Sequence, residues 1–175
     1  MPSKGQSILL GAFVAVALTL VQLFLVMSGG GTGTQILQSA ICCLTAIAGA
    51  GVAVWHYTTT YELTIPAGTG AGLGAAATSL GYAIAYVIGL LLQAVGVMPS
   101  DEELMERARE QALQQNPELS AEQLDQIMGF AESMSGTVGA LINLVVLAIV
   151  GAIVGAIAAS IFKKGRAGDD LDPVA

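Results

Sequence analysis

Charge is scarce in this sequence. Charged residues make up 11% of the chain and hydrophobic residues 54%, whereas an average soluble domain carries roughly 25% charged residues. A chain so poor in charge cannot clothe a water-facing surface. Its apolar residues also lie in long blocks, without the short periodicity of a soluble core. Cations are scarcer still: six Lys and Arg in 175 residues cannot build the basic face that nucleic acid requires, so that partner is excluded. Histidine occurs once, as His56, and cysteine twice, as Cys42 and Cys43. The cysteines are adjacent inside an apolar block, with no CxxC or Cys/His spacing to suggest zinc or a redox pair. They read as small residues that pack or face lipid. One histidine and scattered serines do not assemble a nucleophile, base and acid. The expectation is a protein that is not an enzyme and that carries no metal or cofactor.

Four apolar blocks are present, and lipid is their natural solvent. Residues 8–27 are interrupted only by Thr19 and Gln22. At 1.5 Å per residue such a helix spans a hydrocarbon core of ~30 Å. A signal peptide is the rival reading, with Lys4 before the block and Ser28, Gly29 and Gly30 after it. Secretory apolar regions run only about 7 to 15 residues, however, and another apolar block follows here. Ser28–Thr34 reads as a tight reversal. The second block covers 36–57 and ends in Trp55, His56 and Tyr57, with Tyr61 close behind, the composition of an interfacial aromatic belt. His56 has no second ligand beside it and reads as an interfacial histidine of no particular role, against a proton-handling one. Pro66 is placed to open the third helix, over 67–98, and Pro99 to close it. The fourth block, 137–162, ends in Lys163, Lys164 and Arg166, whose stems can snorkel to the headgroups. Trp55, Tyr57, Lys163 and Lys164 are the expected interface anchors. Residues 1–166 read as one four-helix transmembrane domain, and 167–175 as a disordered acidic tail.

The net charge of −7 belongs to one segment, because nine of the thirteen acids fall between Asp101 and Glu132. Ser100 with Glu103, and Ser120 with Gln123, have the spacing of capping boxes, in which hydroxyl and carboxyl or amide exchange bonds across the first turn. Asn116-Pro117 separates the two helices. Leu104, Ala108, Ala112 and Leu113 make one apolar side, and Leu124, Ile127, Met128 and Ala131 the other. Glu103 and Arg107 are an i,i+4 pair contributing ~0.3 kcal/mol. Residues 100–134 thus read as an amphipathic helical hairpin outside the membrane, with its apolar faces on the membrane surface or on the helix ends and its acids in water. Asp101, Glu102, Glu103, Glu106 and Glu110 are spaced for a helix, unlike the alternating ligands of a calcium loop. A solvated acidic face is the plain reading, and a partner-docking surface the functional one.

Helices in lipid associate by close packing, so small residues four apart mark their contact faces. Gly81, Ala85 and Gly89 form such a ridge on the third helix, Gly151, Gly155 and Ala159 on the fourth, and Cys42, Ala46 and Ala50 on the second. Gly70-Ala-Gly72-Leu-Gly74-Ala75 superficially fits a dinucleotide fingerprint, but it lacks the preceding strand and the acid about twenty residues on. Helix packing explains it better. No Asp, Glu, Lys or Arg lies within the four blocks, although ion-coupled transporters usually hold one at membrane depth. Gln93 and Asn143 are candidates for an intramembrane polar pair, a contact contributing about 0.6 to 2 kcal/mol. Lys4, Lys163, Lys164 and Arg166 flank the outer ends of the first and fourth blocks, which predicts cytoplasmic termini by the positive-inside rule.

This order of features resembles the small bacterial membrane proteins of domain-of-unknown-function family 4199. The resemblance rests on two apolar helices ending near Trp55-His56-Tyr57, then Glu62 to Pro66 and a Gly/Ala-rich third helix. It continues with Met98-Pro99-Ser100-Asp101-Glu102-Glu103, a charged hairpin containing Leu119-Ser120-Ala121-Glu122-Gln123, and a Gly-rich helix closed by Lys163-Lys164. It implies four helices and an inner-membrane address, with no established activity and no site residues. The chain departs from the pattern in having few cations after the second helix. Two roles follow as expectations: an accessory or scaffold subunit acting on a protein partner or a second copy, or a small oligomeric transporter or channel lined by Gln93, Asn143 and the third helix.

Overall fold

The computed structural model describes residues 3–27, 32–133 and 136–163. Among these residues the chain is all-α, with no strand: α1 (Lys4–Met27), α2 (Thr32–Tyr61), α3 (Ala67–Ala94), α4 (Asp101–Gln115), α5 (Ala121–Ser133) and α6 (Gly136–Ile161). The expected tail 167–175, Lys164 and Arg166 lie outside them, as do residues 28–31 of the expected reversal. Helix is the required answer for long apolar blocks, because in hydrocarbon every backbone N–H and C=O must find its partner within the segment.

Three helices among the described residues are long and apolar enough to cross a membrane, Lys4–Leu25, Ala67–Ala94 and Val138–Ile161, where the sequence predicts four. The helix that drops out is α2. The side chains of residues 32–40 and of Cys42 and Cys43 lie outside the described set, and the rest of α2 closes on a polar run from His56 through Thr58, Thr59 and Thr60. The described side chains of α2 alone therefore do not make a run long enough to count.

Helix ends fall where backbone chemistry demands. The third helix stops at Ala94, before the expected 98, because Gly96 takes φ +73°. The Gly96 N–H then donates to the Gln93 carbonyl at 3.0 Å and the Val97 N–H to the Leu92 carbonyl at 2.9 Å, the paired bonds of a Schellman cap. The second helix ends the same way on Glu62, at φ 52°, with the Leu63 N–H donating to the Thr58 carbonyl at 3.0 Å. A non-glycine residue there costs roughly 1–2 kcal/mol.

The chain divides into two compact units, one of Met1–Ala85 with Val145–Ala175 and the other of Tyr86–Leu144. In the first unit α2 runs antiparallel to α1. Tyr61 donates to the Ser3 carbonyl at 3.4 Å and Ser7 pairs with His56 at 2.9 Å. Further along, a methyl group on Gly11 would lie 2.8 Å from the Ala53 Cβ, and one on Gly49 would lie 3.1 Å from the Ala15 Cβ. The start of α3 runs parallel to α1, with Gly11 against Ala77 and Gly81 against Ala12 and Ala15. It runs antiparallel to the last part of α6, with Gly70 against Gly155 and Ala159, and Gly74 against Gly151. The N-termini of α1 and α3 and the C-termini of α2 and α6 therefore share one end, and Lys4 and Lys163 lie at that end.

In the second unit α4 and α5 form the expected hairpin. The Ser100 N–H donates to Glu103 Oε2 at 3.0 Å and the Glu103 N–H to Ser100 Oγ at 3.3 Å. The Ser120 N–H donates to Gln123 Oε1 at 3.1 Å and the Gln123 N–H to Ser120 Oγ at 3.2 Å. Both capping boxes are thus complete, and the Glu103 carboxylate expected to face Arg107 is engaged in its cap. An ion pair joins the two helices instead, Arg109 Nη2 to Asp125 Oδ1 at 3.4 Å. Leu124 is buried, whereas Leu113, Ile127 and Phe130 remain exposed.

Candidate functional site

Two places in the first unit gather side chains that could carry function: the shared end near Ser7 and His56, and the glycine face between α3 and α6. Around the first, the buried cluster consists of Val54, Tyr57, Ile65, Leu73, Ala158 and Ala159, with Tyr61 and Phe162 packed against it. Tyr57, expected at the interface, is only 5% exposed. Its ring sits edge-on to Tyr61 at 5.3 Å between centroids. Trp55 turns the other way and is 46% exposed. Two residues, a little over half a helical turn, thus separate an inward-facing tyrosine from an outward-facing tryptophan, a distinction that an aromatic count in sequence does not contain.

His56 meets Ser7, its partner 49 residues away, through Nδ1. Either tautomer serves this bond, since Nδ1 accepts from the hydroxyl or donates to its oxygen. Ser7 has no exposed surface, so no substrate reaches its oxygen as the chain is folded. The pair acts as a polar clip between α1 and α2. Nothing in sequence marks it, because serine and histidine lie on different helices and neither has a motif around it.

On the glycine face the contacts are between backbones. A methyl group on Gly74 would lie 2.9 Å from the Gly155 Cα, and one on Gly70 would lie 2.5 Å from the Ala159 Cβ. Gly151, Gly155 and Ala159 accordingly face α3 in one row. Their opposite numbers are Gly70 and Gly74, with Thr78 completing the row one turn on. The Thr78 hydroxyl lies 3.1 Å from the Leu147 carbonyl of α6 and 2.9 Å from the Gly74 carbonyl of its own helix. Gly81 is buried against α1, and Ala85 is also buried. A Cβ added at Gly89 would meet nothing within 4 Å. On α2, Ala46 and Ala50 are buried, and Cys42 has no described side chain. The four-residue spacing of Gly70 and Gly74 was visible in the sequence, within the run that also mimicked a nucleotide loop, but nothing there named α6 as the partner.

In the second unit the Gln93 side-chain amide donates to the Pro99 carbonyl at 3.5 Å. Asn143 is exposed on α6. Lys163 is exposed just past the end of α6. Among the described residues, no three His, Cys, Asp or Glu side chains gather as metal ligands. Comparison with known proteins returns no matching family model, no matching curated protein and no matching solved structure.

Proposed function

We propose that the chain is a multi-pass membrane protein that acts by association, as a non-enzymatic accessory or scaffold subunit. The observation that carries this reading is the incomplete coverage of the α4–α5 hairpin. The hairpin buries Leu124 and leaves Phe130 69% exposed, with Ile127 and Leu113 also open, beside a run of acids. Apolar side chains left uncovered among charges are what a docking surface looks like before its partner arrives. The glycine-packed helices supply a rigid base, since small residues let their backbones meet without mobile side chains between them.

In this reading α2 crosses the bilayer with the three longer apolar helices. Its support is the antiparallel register with α1, held from Ser3–Tyr61 through Gly11–Gly49, and the absence of Asp, Glu, Lys and Arg from residues 36–55. Four crossings keep both termini on one side, and the positive-inside rule, applied to Lys4 and Lys163 at one end of the first unit, supports the cytoplasm of a bacterial inner membrane as that side. The likeness to family 4199 adds the same address. The acidic hairpin, joining the third crossing to the last, then faces the exterior.

Gentle-detergent purification from native membranes tests the reading. It predicts recovery with a stoichiometric protein partner or a second copy, lost when Ile127 and Phe130 are both changed to Ser. Repeated isolation as a lone monomer contradicts it.

A further inference from the structure

We propose that the groove between α2 and α6 holds one acyl chain of an anionic phospholipid, with its phosphate drawn to Lys163. The inference rests on the membrane-embedded reading and adds a ligand to it. The groove has a volume of about 380 Å³ and is lined by Ile47, Gly51 and Trp55 from α2 and by Val154, Ile157 and Phe162 from α6, among others. That volume falls within the ~300–1,000 Å³ of small-ligand sites. Its walls are almost wholly apolar, so the part of the ligand that enters must be hydrocarbon.

Dimensions and charge choose among apolar occupants. From Ile47 to Trp55 the groove follows α2 for roughly 12 Å at 1.5 Å per residue. A transmembrane helix from a second copy would need a seam across the whole ~30 Å of hydrocarbon, whereas a lipid chain occupies one leaflet of it. Trp55 and Phe162 lie toward the end shared by the C-termini of α2 and α6, and the half-exposed Trp55 indole sits at the level where tryptophan meets headgroups. Lys163 follows Phe162 directly and is exposed, with Lys164 and Arg166 next in sequence. A cation beside the mouth of a hydrocarbon groove complements a phosphodiester attached to an acyl chain. Gly51 opens the middle of the groove, since a Cβ added there would meet nothing within 4 Å.

The test is native mass spectrometry of the full chain released from detergent after incubation with equal amounts of a phosphatidylglycerol and a phosphatidylcholine carrying the same chains. The wild type should retain one lipid, with phosphatidylglycerol favoured about fivefold, the preference one lysine near an anionic headgroup supplies. Lys163→Gln should remove most of that preference while the protein still holds a lipid. Gly51→Phe should lose the bound lipid, and Gly72→Phe, which places the same ring at another open glycine, should keep it. The proposal is overturned if the wild type retains no lipid or both lipids equally, if Gly51→Phe retains lipid as the wild type does, or if the added mass is a second chain. Should Gly51→Phe fail to fold, Lys163→Gln decides, and an unchanged preference contradicts the site. Failure of the membrane reading itself looks different: the chain then purifies folded without detergent.

Discussion

The two compact units of this protein solve the same problem, holding helices against one another, with opposite chemistry. In the first, contact is made by what is missing. Glycines at 70, 74, 151 and 155 remove side chains so that α3 and α6 meet backbone to backbone. In the second, contact is made by what is added: two capping boxes, an exposed ion pair and one buried leucine. Under the proposed membrane reading, the difference follows the solvent. In lipid, side-chain burial brings no hydrophobic gain, so close approach and its dispersion contacts are what hold helices together. In water, a short helix is marginal until its end groups are bonded and an apolar stripe is covered.

This contrast predicts where substitutions act. The largest effect belongs to the glycine face. Gly155→Leu pushes a branched side chain into the Gly70 carbonyl and the Gly74 Cα, and should cost about 3 kcal/mol, the upper end for overpacking. Gly72→Leu, at a position with open space, should cost almost nothing. Thermal unfolding of both variants in one detergent checks the difference, and equal losses would remove the glycine face from the account.

Next comes Ser100→Ala, which breaks one capping box and should cost about 1 kcal/mol. The loss should appear as faster amide exchange over residues 100–116, with the first unit unchanged. Thr78→Val keeps the shape and deletes the hydroxyl shared between Gly74 and Leu147. About 0.6 kcal/mol is expected, the average for interhelical bonds in membranes, again by unfolding in detergent. Smallest is Arg109→Gln. Both partners of the ion pair are more than half exposed, so only a few tenths, ~0.3 kcal/mol, should be lost, and added salt should erase even that.

Some of this was legible in the residues. The spacing of Ser100 with Glu103 and of Ser120 with Gln123 specified two helix starts, because a capping box is local and its geometry is complete within four residues. The apolar blocks located α1, α3 and α6 for the same reason. What could not be read was partnership across the chain. With 22 glycines in the sequence, several rows of small residues compete on each helix, and nothing local says that Gly70 and Gly74 face α6 while Gly81 faces α1. The Ser7–His56 clip and the inward turn of Tyr57 are likewise properties of two helices at once. The early stop of α3 was missed differently: Pro99 is the louder signal, but Gly96 adopts the left-handed conformation first. The second crossing is the one not found among the described residues, where α2 offers its polar end from His56 to Thr60 while the side chains of its apolar start lie outside them.

The central claim is that α1, α2, α3 and α6 cross one bilayer side by side, with both termini on the same face. Labelling intact cells with a membrane-impermeant thiol reagent tests it most directly, using single cysteines introduced as Ser3→Cys, Gln115→Cys and Lys163→Cys after Cys42 and Cys43 are changed to Ala. The account predicts labelling at position 115 alone, with 3 and 163 reacting only once the cells are opened. Labelling of 3 and 163 from opposite sides would mean three crossings and would contradict it.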